Sequence, residues 1–329
     1  MSTKQKEKLQ FAFYWAASCG GCEIAVLDID EKILDVTKIA DIVFWPVAMD
    51  FKYSDVEAMK DNSIDVCFFN GSVRTSENEH MAKLLRKKAK VMVAFGSCAH
   101  EGCIPGLANL SNAKEVFDVA YLDNPSTENP DKTQPQLKTK VKEGELTLPE
   151  FYDTVKTLDQ VVDVDYYLPG CPPPVNLIVD AINAIAENKL PPKGSILAPF
   201  KSVCDECRFT KSEKKISKIK RIYELDKIEE KCFLEQGVIC MGPATRAGCK
   251  ALCTNGNMPC TGCGGPTPNS LDQGSKMISS LASILGIEGE EDMSDEELQK
   301  LIDQIVDPVG TFYKYSLPHS TINRRVTKK

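Results

Sequence analysis

Fourteen cysteines, unevenly placed, constrain this 329-residue chain more than any other feature. Cys19 and Cys22 form a C-x-x-C pair, and Cys98 and Cys171 follow far downstream. Eight more crowd between 204 and 263: Cys204, Cys207, Cys232, Cys240, Cys249, Cys253, Cys260 and Cys263. Cys67 and Cys103 are left over. Four thiolates hold one [4Fe–4S] cluster, so the grouped cysteines suffice for three clusters. Disulfides are the bland alternative, and they suit small secreted chains that cannot build a core. A chain this long, 42% hydrophobic, buries a sizeable core without staples. Its opening segment MSTKQKEKLQ is polar and lacks a signal peptide's apolar stretch, and no apolar run reaches the length of a membrane span. A cytoplasmic location away from membranes is the expectation, and there thiols stay reduced and grouped cysteines bind metal.

The charge balance narrows the partners. Forty basic residues against 47 acidic ones give a net charge of −7. No basic stripe crosses the cysteine region, and KSEKKISKIKR (211–221) reads as a short solvated run. Nucleic acid is not expected as a partner.

Short apolar runs at 11–16, 42–48, 64–69, 91–96 and 163–168 have the length of strands. Most are continuously apolar, as parallel strands buried on both faces must be. Helical patterns lie between them. Residues 23–37 carry Ile24, Leu27, Ile33 and Leu34. Residues 76–89 open on Ser76-Glu77-Asn78-Glu79, a capping-box pattern, and residues 174–187 follow helix-starting prolines. This alternation predicts an α/β fold, a doubly wound parallel sheet of about five strands, flavodoxin-like in plan. The polar stretch 120–147 reads as an excursion from the sheet. Pro191-Pro192 begins a linker, which predicts one domain over 1–195 and a second over 196–329. Residues 204–268, rich in Cys, Gly and Pro, are irregular and are expected to need metal to hold them together. Helical pattern returns at 275–285 and 294–306, the latter with Ser294 and Glu297 spaced as a capping box.

Cys19 and Cys22 follow the first predicted strand, Cys98 the fourth and Cys171 the fifth. All four fall beyond the carboxyl ends of parallel strands, where open α/β sheets place their sites. A C-x-x-C at a strand-to-helix turn is also the thioredoxin arrangement, but that reading leaves Cys98 and Cys171 without a role. Zinc accepts four thiolates too, so spacing alone leaves zinc and iron–sulfur both open. Cys67, inside an apolar run, reads as a core side chain. Trp15 and Trp45 read as packing residues, and His100 as a surface or hydrogen-bonding residue. Glu23 reads equally well as a proton relay and as a first-turn glutamate favoured by the helix dipole.

The local sequences go further than the spacing. CGGCE (19–23), FGSCA (95–99), IPGLANL (104–110) and LPGCPPP (168–174) resemble the proximal-cluster half of a [NiFe] hydrogenase small subunit. CDEC (204–207), QGVICMGPATRAGC (236–249), PCTGCGGPT (259–267), DQGSKMISSLAS (272–283) and DPVGTFYKYSLP (307–318) resemble its cytoplasmic methyl-viologen-reducing branch. The resemblance spans about residues 10 to 318. It implies a proximal [4Fe–4S] cluster on Cys19, Cys22, Cys98 and Cys171, and a distal one on Cys204, Cys207, Cys232 and Cys240. It implies a medial one on Cys249, Cys253, Cys260 and Cys263, with the division least settled at Cys240 and Cys253. Cys103 stands where this branch carries glycine and is left out of the ligand sets. The resemblance further implies an oxidoreductase subunit paired with a separate nickel–iron large subunit. Its electrons would pass to a small iron–sulfur adaptor and a heterodisulfide-reductase-like flavoprotein. Two other readings stay in view: the small subunit of a deazaflavin-coenzyme-reducing hydrogenase, and an iron–sulfur adaptor of another redox complex.

Overall fold

The computed structural model describes residues 8–212, 216, 218–285 and 294–324. Most of the opening polar segment, part of the 211–221 run and the side chain of Glu297 lie outside the described residues. Six strands form the central sheet: β1 (Leu9–Trp15), β2 (Ala40–Phe44), β3 (Ile64–Asn70), β4 (Ala89–Phe95), β5 (Tyr166–Leu168) and β6 (Ser195–Ile196). They lie side by side as β2-β1-β3-β4-β5-β6, and every pairing is parallel. The first five reproduce the flavodoxin order.

The continuous apolar runs have a physical cause, since alternate side chains serve opposite faces of the sheet. On one face Phe11, Phe13, Val66, Phe68, Val93 and Phe95 pack beneath helices Gly21–Leu27 and Val175–Ala186. On the other, Tyr14, Cys67, Phe69, Met92 and Ala94 meet Met81 and Leu85 of helix Ser76–Lys88. The sixth strand was not expected. It is two residues long, so it leaves no period to read, and the 195/196 division falls inside it.

Other expectations shift. The helix expected over 23–37 is two helices, Gly21–Leu27 and Ile33–Ile39, parted by a 3-10 turn in which Asp30 takes φ 54°. Its buried stripe is Cys22, Ala25, Val26, Ile29 and Val36, while Ile24, Leu27 and Leu34 point outward. Small side chains let this segment lie close against the sheet, and the larger ones are left outside. The capping box of the next helix sits one residue earlier than expected, with Thr75 Oγ1 accepting from the N–H of Asn78. The 120–147 excursion ends in an exposed hairpin, Lys138–Val141 with Gly144–Thr147, and strand Phe151–Lys156 then returns antiparallel to Val73–Thr75.

The cysteine-rich stretch is built mainly of short 3-10 turns, yet it is not coreless. Val203, Phe233, Leu234, Met277, Leu281, Phe312 and Leu317 form a buried cluster there, so apolar packing supplements whatever metal contributes. Helix Gln273–Ala282, capped by Asp272, packs into that cluster. Hydrogen bonds join the chain beyond residue 200 to the sheet region. Among them are Ser97 Oγ to the Cys263 carbonyl (2.5 Å), Asn176 Nδ2 to the Gly248 carbonyl (2.9 Å) and the Cys103 N–H to the Tyr315 carbonyl (3.0 Å). Among the described residues, no helix is long and apolar enough to cross a membrane.

Candidate metal centres

The turns after β1, β4 and β5 deliver the first four thiols. Cys19 lies beyond β1, and Cys22 sits in the opening turn of helix Gly21–Leu27. Cys98 lies in the five-residue helix Ser97–Glu101 after β4, and Cys171 follows β5. The structure brings them together. Burial, then the neighbouring thiols of Cys171, Cys19 and Cys103, push the Cys22 thiol far above its ordinary range. Gly96 makes the close approach possible: it takes φ +84°, and a Cβ there would lie 2.3 Å from Cys22 Sγ.

A fifth thiol belongs to this gathering. Cys103 is fully buried and its Sγ donates to Cys171 Sγ at 3.6 Å. That contact, followed by burial, raises the Cys171 thiol. The contact lowers the Cys103 thiol, but its contact with Cys98 and its burial outweigh this and push it up. Only its five-residue spacing from Cys98 could have pointed to it in the sequence.

The remaining eight separate into two gatherings. Burial and then Cys240, Cys232 and Cys207 push Cys204 up to about 12. Cys240 rises to about 11 through burial, although the peptide N–H groups of Gly242 and Cys260 oppose the shift. Cys249, Cys253, Cys260 and Cys263 all line one small cavity of about 30 Å³, walled by apolar groups that include Leu177 and Val203. Cys240 neighbours Cys204, Cys207 and Cys232 but also Cys260, while Cys253 neighbours Cys249 and Cys263. Main-chain groups lie between the gatherings. The Cys260 N–H donates to Cys240 Sγ at 3.2 Å, and the Cys171 backbone lies beside the Cys263 thiol, partly opposing the rise that burial gives it.

The donor chemistry fits iron–sulfur clusters. Crowded, buried thiols resist losing their protons, and a bound metal group would deprotonate them outright and balance the charge. Among the described residues, no three His, Cys, Asp or Glu side chains converge on a single-ion position. Thiolates of a four-iron cluster do not share one ion, since four cysteines serve four irons.

Residues around the first gathering follow their surroundings. Cys67 is a core side chain, its thiol raised to about 12 by burial. Glu23 is buried rather than solvated at the helix start, and Trp45 Nε1 (2.5 Å) and Asn70 Nδ2 (3.2 Å) donate to its carboxylate. Burial raises that carboxyl group against both hydrogen bonds. Trp45 packs on Phe13 as well, whereas half-exposed Trp15 lies over Gly20. His100 is not a surface residue. It is buried, its ring tilted against that of Tyr167 at 4.7 Å, with Nε2 3.1 Å from Glu101 Oε1. Sequence reasoning missed Glu101, Arg246, Asp159 and His319, which meet beside it.

A flavodoxin-like sheet with a cysteine-rich segment packed beyond its strand ends is the plan of a [NiFe] hydrogenase small subunit, a component of an oxidoreductase. Residues 19–185 match the family described as NADH ubiquinone oxidoreductase, 20 Kd subunit. The iron-sulfur subunit of the F420-non-reducing hydrogenase of Archaeoglobus profundus is 44% identical, covering 97% of this chain and 99% of its own length. The corresponding F420-non-reducing hydrogenase subunit of Methanothermobacter thermautotrophicus is 36% identical over 98% of this chain and 99% of its own. A solved [NiFeSe] hydrogenase from Desulfovibrio vulgaris Hildenborough aligns with 82% of this chain and 97% of its own, at 18% identity and a TM-score of 0.46. The chain belongs to the family of iron–sulfur small subunits of F420-non-reducing hydrogenases.

Proposed function

We propose that this chain is the electron-transfer small subunit of a cytoplasmic [NiFe] hydrogenase, carrying three [4Fe–4S] clusters. It would take electrons from dihydrogen, oxidised on a separate large subunit, and pass them through a small iron–sulfur adaptor to a heterodisulfide-reductase-type flavoprotein. The observation that supports the reading is the crowding of the grouped cysteines' thiols, four beyond the strand ends and eight in the cysteine-rich segment. Cys19, Cys22, Cys98 and Cys171 would hold the proximal cluster. Cys249, Cys253, Cys260 and Cys263 would hold the medial one, and Cys204, Cys207, Cys232 and Cys240 the distal one. Such clusters supply one-electron carriage at potentials set by burial, charge and hydrogen bonds to sulfur.

The chain's own residues prepare that task. Gly96 lets Cys22 approach, and Leu177, Val203 and Ala247 wall part of the cavity at the medial set. The N–H of Cys260 ties that set to Cys240. The acidic balance of the chain suits protein partners rather than nucleic acid. Anaerobic metal analysis tests the assignment. About twelve irons with matching sulfide per chain, and nickel in the native complex, are expected. Stoichiometric zinc with little iron, or a native complex without nickel, would overturn it.

A further inference from the structure

Glu101 lies between two of the thiol sets. It ends the short helix that carries Cys98, and its carboxylate lies against Gly265, two residues beyond Cys263. A Cβ on Gly265 would be 3.3 Å from Glu101 Oε1. The side chain is only 1% exposed, and that oxygen has no hydrogen-bond partner. A carboxylate so placed is costly unless cations balance it.

The groups facing it come from every surrounding element. His100, one residue earlier, holds Nε2 3.1 Å from Oε1, within ion-pair distance but without hydrogen-bond geometry. Arg246, buried on the cysteine-rich side, is lowered by that burial, and the nearby charge of Glu101 opposes the shift. His319, from the far end of the chain, brings Nδ1 to 3.4 Å from Oε2 and Nε2 to 3.7 Å from Asp159 Oδ2. Tyr167 donates to that same Asp159 oxygen at 3.2 Å. Of the two imidazoles, His319 alone reaches solvent, its side chain being 37% exposed. The contact with Glu101 raises the His319 imidazole to about 9, against the effect of burial. Burial lowers His100 instead and raises Tyr167, and the guanidinium of Arg246 stays charged, so His319 is the imidazole held protonated at neutral pH and discharged in alkaline solution.

We propose that Glu101 and His319 are a charge-setting pair for electron transfer between the proximal and medial sets, with the imidazolium of His319 as the solvent-facing positive charge that balances an arriving electron. The inference rests on the iron–sulfur reading above. An electron reaching either set adds one negative charge. The imidazolium charge of His319 offsets it, and loss of that proton in alkaline solution removes the offset. Imidazolium therefore favours the reduced state, and loss of its proton favours the oxidised state.

The test is a redox titration of the intact nickel–iron complex, followed by the paramagnetic signals of the reduced clusters, at about pH 7 and about pH 10. In the wild type the reduced-to-oxidised ratio at fixed potential should fall several-fold between the two. His319→Gln should show the lower ratio at both, with unchanged iron and sulfide. His319→Lys, charged at both, should restore the higher ratio. Glu101→Gln should move the step below about pH 7, toward an ordinary imidazole. A wild type without the step, or His319→Gln behaving as wild type, would overturn the pairing while leaving the clusters in place. Wild-type protein lacking iron and sulfide would overturn the cluster reading and this inference with it.

Discussion

Gly96 shows how much one missing side chain can decide. The turn after β4 must place Cys98 while leaving room for Cys22, and only a residue without Cβ at φ +84° does both. Alanine there would be strained by about 1–3 kcal/mol before any contact is counted. It would also drive into Cys22 Sγ. Gly96→Ala should therefore lose at least one cluster's share of iron, about a third, read by metal analysis alongside an unchanged far-ultraviolet dichroism spectrum. Cys103 carries the opposite lesson. A thiol in contact with Cys171 stayed outside the expected sets because nothing in a linear spacing reports which of two nearby cysteines faces inward.

At the scale of elements, Asp165 joins β4 to β5. Its carboxylate accepts from the Met92 N–H (2.8 Å), Arg86 and Lys193, while its own N–H returns to the Met92 carbonyl. Burial works against it, but Lys193, Arg86 and the Met92 N–H together hold the Asp165 carboxyl below its ordinary range. With the folded value depressed, its contribution is present above the unfolded value and is lost as pH falls through the folded one. Asp165→Asn should cost about 1–3 kcal/mol near neutrality and flatten the loss of stability below about pH 4, measured by urea unfolding across pH. The central strands were legible because β1, β3 and β4 are buried on both faces and read as unbroken apolar runs. β6 was not, being two residues long, and the first helix was misphased because Cys22, Ala25 and Val26 form its buried stripe while the larger Ile24 and Leu27 face outward. Twelve of the cysteines advertised their grouping, whereas the Glu101–His319 contact joins residues from distant parts of the chain and has no local signature.

For the whole molecule, we propose a division into a sheet domain and a cysteine-rich domain near the 195/196 position. The second has its own apolar cluster, so the loss of one metal group should loosen rather than dissolve it. Cys260→Ser should make residues 200–270 cleave several-fold faster under limited proteolysis, with the sheet domain still protected. Equal protection of both parts would count against the division. Cys260 is a revealing choice because its N–H also supports Cys240. That bond is made by the main chain. Main-chain donors are present whatever side chain they carry, proline excepted. Descendants of this sequence could exchange most surrounding side chains and still inherit the same link between the Cys260 and Cys240 thiol sets.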